Sequence, residues 1–285
     1  MPFFAVAGVG IAAVFMAMNV LVTWAPIVVV SPSPSTSAAA SASASSSVLP
    51  LVTATPSGSP APTASLPGTK PRILNSAIKA TAPNGTWSVD LGYPTFRAGT
   101  TPWASSIDAD ISGEVQTKAA QWETGPAANR QAGVKVNTLI GSYTMDLLTP
   151  ALASFTMTWA DDSYSGPPVL GVETLTYDLS TGQRLAFGDV FPDSTSALAV
   201  ISAEARSLLQ DELGSGFVAG IADDGTNPTV LNFGNWAITK SGVKFTFGQY
   251  QVTSDPTAQP SVVVPWDALR PVMVQIGPVA KVAGF

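Results

Sequence analysis

The distribution of charge divides this chain into parts that cannot share one fold. All 13 lysines and arginines and all 19 aspartates and glutamates lie at or after Lys70, so residues 1–69 contain no charged side chain. Phe3 to Ala25 form an almost uninterrupted apolar run, and Ser31 to Thr69 consist mainly of Ser, Ala, Pro and Thr. Only residues 70–285 have the mixed polarity of a folded domain.

Residues 1–30 are predicted to be a transmembrane anchor or a signal peptide. About 20 apolar residues of α-helix span the hydrocarbon core of a bilayer, and residues 3–25 suffice. A signal peptide has a shorter apolar region of about 7–15 residues, and Pro26 disfavours cleavage after Ala25. We expect a cell-membrane protein with an extracytoplasmic domain, with secretion after signal cleavage as the alternative.

Residues 31–69 are predicted to be a disordered spacer. They contain few large apolar side chains, so folding would not offset the entropy lost on ordering. Their Ser-Pro, Ala-Pro and Leu-Pro pairs favour extended segments. The spacer would therefore hold the domain away from the membrane.

The chain contains no histidine and no cysteine. Catalytic triads with histidine, cysteine nucleophiles, histidine- or thiolate-bound zinc and disulfides are therefore excluded. We expect no cofactor and no metal. The net charge of −6 argues against nucleic acid as a partner and favours a basic one.

The domain at residues 70–285 is predicted to be α+β, with a mostly antiparallel sheet covered by two helices. Asn84-Gly85 between two alternating segments predicts a hairpin of Ile73–Ala80 with Trp87–Tyr93. The helices are predicted to begin at Thr101-Pro102 and at Asp193 or Ser194. The remaining predicted strands are Val134–Leu148, Ala151–Trp159, Val169–Leu179, Trp236–Thr239, Val243–Phe247 and Val262–Val264.

The pattern within the first helix indicates which side is buried. Its apolar residues recur at helical spacing, and Asp108 and Asp110 lie off that stripe, where we expect them to be solvated. The residues of the stripe are Ile107, Ile111, Val115 and Trp122. A Gly-rich polar stretch follows the second predicted helix and extends to Asn232.

Two segments resemble the extracytoplasmic domain of RsiV-type anti-sigma factors. Leu175–Phe191 (LTYDLSTGQRLAFGDVF) is similar to a strand followed by Asp-Leu-x-Thr-Gly and a Leu-Phe segment in that domain. Trp236–Val252 and Ser261–Leu269 resemble its closing strands. The secreted mycobacterial immunogenic-protein family shares this domain. The resemblance implies an RsiV-like α+β fold and, as partner, lysozyme bound outside the membrane.

The resemblance does not carry over the other activities of related proteins. No segment precedes the apolar run, so we expect no anti-sigma activity. The metal-binding His and Asp motif of associated deacetylases is absent. Where the family has a Gly-Gly-Ala-His-like loop, this chain has Tyr164-Ser-Gly-Pro-Pro168.

The candidate ligand-binding residues are Asp161, Asp162 and Tyr164, which follow a predicted strand. Two carboxylates beside a tyrosine suit a basic side chain or a hard cation, and the alternative is a turn capped by aspartate. Asp223-Asp224-Gly225 lacks the remaining ligands of a calcium loop. Six tryptophans suit either sugar stacking or core packing: Trp87, Trp103, Trp122, Trp159, Trp236 and Trp266.

These observations predict a noncatalytic, membrane-tethered extracytoplasmic binding module. Its ligand would be a basic protein such as lysozyme, or a cell-wall component. The alternative is a carboxylate-based cell-wall hydrolase, which needs two carboxyl groups about 5–10 Å apart in a cleft.

A fragment comprising residues 70–285 should be soluble and should unfold cooperatively, because the anchor and spacer contribute nothing to the predicted sheet. Thermal unfolding followed by circular dichroism tests this prediction. Aggregation of the fragment, or the absence of a transition, would contradict the domain boundary at residue 70.

Overall fold

The computed structural model of the chain describes residues 70–124, 136–163 and 166–285. Within these residues, no helix combines the length and apolar character needed to cross a bilayer. The predicted anchor at residues 1–30 and the predicted spacer at residues 31–69 lie outside the described residues.

A first sheet of six strands is formed in sequence order within the described residues. Its strands are β1 (Ile73–Thr81), β2 (Trp87–Phe96), β3 (Asn137–Leu148), β4 (Leu152–Asp161), β5 (Val169–Asp178) and β6 (Gln183–Arg184). Neighbours are antiparallel except β2 and β3, which are parallel. Parallel neighbours require a long crossover, and helix α1 (Ala104–Thr124) lies in that connection.

A second, three-stranded antiparallel sheet follows later in the chain. It consists of β7 (Trp236–Ile238), β8 (Gly242–Thr246) and β9 (Ser261–Pro265). The other helices are α2 (Phe187–Val190), α3 (Ser194–Leu213), α4 (Ala219–Gly225), α5 (Trp266–Leu269) and α6 (Gly277–Ala283), with a short 3₁₀ turn at Gly214–Gly216.

Each sheet buries its own core. Helix α1 covers the first sheet, and this core contains Val89, Leu91, Phe96, Ile107, Ile111, Val115, Trp122, Leu139, Phe155, Leu175 and Tyr177. Helix α3 covers the second sheet, and this core contains Leu198, Ile201, Leu209, Phe233, Trp236, Val243, Phe245, Phe247, Val264, Trp266 and Leu269. Burying one large apolar side chain contributes about 1.5–3 kcal/mol, so each unit has a substantial core.

A β-bulge joins the two sheets. The register of β3 against β4 shifts between Met145 and Leu147, which leaves Asp146 as the extra residue. Its carboxylate forms an ion pair with Lys244 of β8 and accepts a hydrogen bond of 2.6 Å from the Thr156 hydroxyl. The side chains of Asp146 and Lys244 are only 5% and 16% exposed. A bulge re-aims a side chain, and here it directs a carboxylate into the contact between the sheets.

The predicted α+β fold is confirmed, including the hairpin, the buried stripe of α1 and the helix after Asp193. Asp193 caps α3 by accepting a hydrogen bond of 3.1 Å from the Ser196 amide. The structure differs in having two sheets, because the apolar residues of β7, β8 and β9 pack with α3 in a core of their own rather than extending the first sheet. Helix α1 begins at Ala104, slightly after Thr101-Pro102. Helices α4 and α6 were not predicted.

Replacing Lys244 by Met should lower the free energy of unfolding by about 3 kcal/mol, because it leaves the buried Asp146 carboxylate without its cation. Lys240→Met, at an exposed position just before β8, should change it by no more than about 0.5 kcal/mol. Urea unfolding of the two variants tests this prediction. Equal losses in both would show that the ion pair does not hold the sheets together. Adding Asp146→Leu to Lys244→Met should restore most of the loss.

Candidate functional site

Two aspartates of α1 attach the helix to the sheet. The Asp108 carboxylate accepts a hydrogen bond of 2.7 Å from the Phe96 amide, and the Asp110 carboxylate accepts one of 2.6 Å from the Tyr177 hydroxyl. Burial raises the pKa of Asp108, and the Phe96 hydrogen bond offsets part of that rise. Burial and the Asp110 carboxylate raise the pKa of Tyr177. The expectation that both aspartates are merely solvated is therefore corrected, because each anchors the helix.

One turn further along α1, three charged residues form a network. The Arg184 guanidinium contacts Glu114 of α1 at 2.7 Å and Glu173 of β5 at 3.3 Å. Burial raises the pKa of Glu173, the Glu114 charge raises it further, and the charges of Arg184 and Lys118 offset only part of the rise. The network therefore places a carboxyl with a raised pKa beside a carboxylate and a guanidinium.

Trp159 lies next to this network and closes the cleft between α1 and β5. A Cβ atom on Gly171 would lie 2.1 Å from the Trp159 ring, so the indole can rest on the sheet only because residue 171 is glycine. The Lys118 ammonium lies 4.3 Å from the ring centroid, in a cation–π contact. The cavity beneath, which Glu114 and Glu173 also line, has a volume of about 20 Å³. This holds about one water molecule.

The predicted ligand-binding residues lie where β4 ends. Asp161 accepts hydrogen bonds from the Trp122 indole at 2.8 Å and from the Ser163 amide at 3.0 Å. The Asp162 amide donates to the Thr138 carbonyl at 2.9 Å. Tyr164 lies outside the described residues. Asp161 therefore positions Trp122 and caps the turn after β4, and its role in ligand binding stays a prediction.

The Trp122 contact brings the end of α1 to the end of β4. Trp122 lies in the last turn of the helix, followed by Glu123, while Asp161 ends the strand and Asp162 follows it. The C-terminal end of a helix also carries a partial negative charge. We call this meeting of the helix end and the strand end, with Glu123, Asp161 and Asp162, the acidic end.

The other candidate residues have structural uses. Asp223 and Asp224 lie in helix α4, and Asp223 contacts Arg206 at 2.8 Å. In the described ranges, no group of three or more acidic residues is arranged to hold a metal ion. Trp122, Trp236 and Trp266 are buried in the two cores. The Trp103 indole donates to the Ser180 carbonyl at 3.0 Å.

The network around Arg184 was not predicted, although one residue pattern indicates it. Glu173 occupies the same face of β5 as Leu175 and Tyr177, both of which are buried in the core. A charged residue at an inward-facing strand position requires a partner. The sequence does not indicate that this partner is Arg184, which reaches it from β6.

Replacing Glu173 by Gln should change how stability depends on pH. A carboxyl with a raised pKa in the folded chain destabilises the fold as it ionises, so its contribution is lost as pH rises above the ordinary value of 4.5. Glu173→Gln should therefore be more stable relative to wild type at pH 7 than at pH 4. Chemical unfolding at both pH values tests this, with Glu212→Gln on exposed α3 surface as the control. A loss of stability confined to pH 7 would show that the Arg184 ion pair outweighs the cost of burial.

Comparison with known proteins identifies relatives of this fold. Residues 188–267, from helix α2 to helix α5, match the family model for a protein of unknown function (DUF3298). No curated protein matches the chain. The resemblance to RsiV-type domains in particular stays a prediction.

Two crystal structures of DUF3298 family proteins have a similar fold. One, from Bacteroides fragilis, gives a TM-score of 0.52 at 12% identity, covering 76% of this chain and 99% of that protein. The other, from Pseudomonas aeruginosa, gives a TM-score of 0.52 at 15% identity, covering 72% of this chain and 94% of that protein. The chain thus contains a segment that matches the DUF3298 model, within a fold similar to that of DUF3298 family proteins.

Proposed function

We propose that this chain is a noncatalytic, extracytoplasmic binding module, tethered to the membrane through residues 3–25, whose acidic end recognises a basic protein such as lysozyme. The hydrogen bond of 2.8 Å between the Trp122 indole and the Asp161 carboxylate carries the proposal. It holds the negative end of α1 against the end of β4, where Asp161 ends the strand and Asp162 follows it. The end of a helix and the end of a strand are thus held together at the proposed recognition site.

The charge distribution supports a cationic partner. The chain has a net charge of −6, and α1 carries a single basic residue, Lys118, whose ammonium contacts Trp159. Helix dipole and carboxylate charges have the same sign at the acidic end, so they reinforce each other. Complementary charges accelerate association and select the orientation of the partner.

The cleft at Arg184 supports recognition over hydrolysis. Glu114 and Glu173 are two carboxyl groups near a cleft, and the raised pKa of Glu173 is a property of general acids. Both, however, contact the same guanidinium, at 2.7 and 3.3 Å, so Arg184 occupies the space between them. A glycosidic bond must lie between its two catalytic carboxyls. The adjoining cavity of about 20 Å³ cannot hold a sugar ring.

Titration of lysozyme against the full chain, purified in detergent, tests the proposal. The variant with Asp161→Asn and Asp162→Asn should bind about tenfold more weakly at low ionic strength, since each lost surface charge contributes up to about 1 kcal/mol. Asparagine retains the oxygen that accepts the Trp122 hydrogen bond, so the fold should persist. At high salt the difference should shrink, because surface charges are screened.

A variant with Asp211→Asn and Glu212→Gln is the matched control. It removes the same charge from the last turn of α3, where both residues are exposed, and should bind like wild type. Equal weakening of lysozyme binding in both variants would show that the net charge of the chain, and not the acidic end, determines the affinity. Absence of binding at tens of micromolar lysozyme would contradict the lysozyme assignment. Release of sugars from peptidoglycan that Glu173→Gln abolishes would establish the hydrolase alternative instead.

A further inference from the structure

Strand β1 is an edge strand of the first sheet. It pairs with β2 on one side, and no strand of the described residues pairs with its other side. It is nine residues long, from Ile73 to Thr81. An exposed strand edge presents a row of backbone N–H and C=O groups that act as a template for pairing with another chain. A long edge of this kind therefore requires either protection or a partner.

The other sheet edges in the described part of the chain are protected in ways that β1 is not. Proteins protect an edge with a very short strand, a proline, a bulge or a charged side chain. Strand β6 has two residues and β7 has three, while β9 ends in Pro265 and packs against α3. Strand β1 contains no proline, and its register with β2 is continuous, so it has no bulge.

The single charged residue of β1 does not protect the edge either. Lys79 is the only charged side chain between Ile73 and Thr81. Its ammonium lies 2.8 Å from the carboxylate of Asp90, the residue opposite it on β2. The ion pair holds the lysine toward β2 and neutralises its charge. The outer side of β1 is thus left without a charge that would repel an added strand.

Two hydrogen bonds of the hairpin identify which backbone groups of β1 face outward. The Arg97 amide donates to the Arg72 carbonyl at 2.8 Å, and the Ala82 amide donates to the Trp87 carbonyl at 3.0 Å. Hydrogen-bonded and non-hydrogen-bonded pairs alternate along an antiparallel ladder, so the even-numbered residues of β1 bond to β2. The N–H and C=O groups of the odd-numbered residues therefore point away from β2: Ile73, Asn75, Ala77, Lys79 and Thr81.

We propose that β1 pairs with β1 of a second copy of this chain, antiparallel and centred on Ala77. In this register all nine residues of each strand are paired. Asn75 lies opposite Lys79 of the partner subunit, and Ile73 lies opposite Thr81 of the partner subunit. Residues with outward-facing backbone groups then meet one another, as an antiparallel ladder requires. The pairing joins two six-stranded sheets into one, with the two-fold symmetry that is commonest among homo-oligomers.

The side chains of β1 are complementary to themselves in this register. Lys79 faces the neutral Asn75 of the partner subunit, whereas a register centred on Lys79 would place two ammonium groups opposite each other, which is destabilising. Leu74 is 51% exposed and would be covered by Ala80 of the partner subunit. The small Ala77 lies at the two-fold axis, where two side chains must share the space. Any extended segment satisfies the same backbone groups, and this self-complementarity favours a second copy.

Single cysteines test the register, because the chain contains no cysteine. In a hydrogen-bonded antiparallel pair the two Cα atoms lie about 5.5 Å apart, within the range of about 4.4–6.8 Å that a disulfide allows. Ala77→Cys should therefore form a covalent dimer when the full chain, purified in detergent, is mildly oxidised. Electrophoresis without reductant measures the product.

Thr81→Cys is the matched control on the same strand. Residue 81 pairs with residue 73, so the two introduced thiols would lie about 26 Å apart along the strands and should not form a disulfide. Both variants keep the same membrane segment, so association through that segment would affect them equally. Equal disulfide formation in both variants, or none in Ala77→Cys, would overturn the proposal.

A proline at position 77 separates pairing from folding. The Ala77 N–H points away from β2, so Ala77→Pro removes a donor from the proposed interface and none from the hairpin. We expect an unchanged Tm and at least about tenfold weaker dimerisation by light scattering in detergent, the factor that one lost hydrogen bond produces. Ala77→Ser keeps the N–H and should dimerise like wild type.

The dimer should be reversible, because nine residues a side are fewer than the roughly 20–30 of a standard interface. Light scattering over a range of protein concentrations should therefore show a shift from monomer to dimer. A dimer that persists undiminished in Ala77→Pro would show that another surface joins the copies, and would overturn the proposal. A wild-type monomer whose lysozyme binding Ala77→Pro weakens would assign the edge to a strand of that partner instead.

Discussion

The arrangement of this domain depends on one buried ion pair between its two sheets. Asp146 enters the junction because a β-bulge displaces it from the ladder of β3 and β4, and Lys244 of β8 reaches it from the other sheet. A buried charge without its partner is strongly unfavourable, so the second sheet can pack only where this contact forms. A second contact joins the sheets, because the Ile238 amide of β7 donates a hydrogen bond of 2.9 Å to the Ser154 hydroxyl of β4.

The carboxylates of the first sheet and α1 act mainly as structural acceptors. Asp108, Asp110 and Asp161 each receive a hydrogen bond that attaches the helix or its last turn to the strands. Glu114 and Glu173 both contact Arg184. Carboxylates held in this way keep their positions while still presenting charge, which suits recognition. Hydrolysis would require a carboxyl pair with open space between its members.

The acidic end combines fixed charges with the dipole of α1, and it suits a basic macromolecule. The fold shared with DUF3298 family proteins is compatible with this role, since fold alone does not determine function.

The sequence by itself determined the order of most elements and the exclusion of histidine and cysteine chemistry. The Asn84-Gly85 turn, the stripe from Ile107 to Trp122 and the cap at Asp193 are local patterns, which short-range physics specifies. Only the tertiary structure decided that the strands divide into two sheets, that Asp161 holds Trp122, and that Arg184 lies between Glu114 and Glu173. These contacts join residues far apart in the chain. Tertiary packing selects which residues meet, and the spacing of residues in the sequence does not indicate it. The unsatisfied amide of Gln259 belongs to this second class, because whether a polar group finds a partner depends on everything that surrounds it.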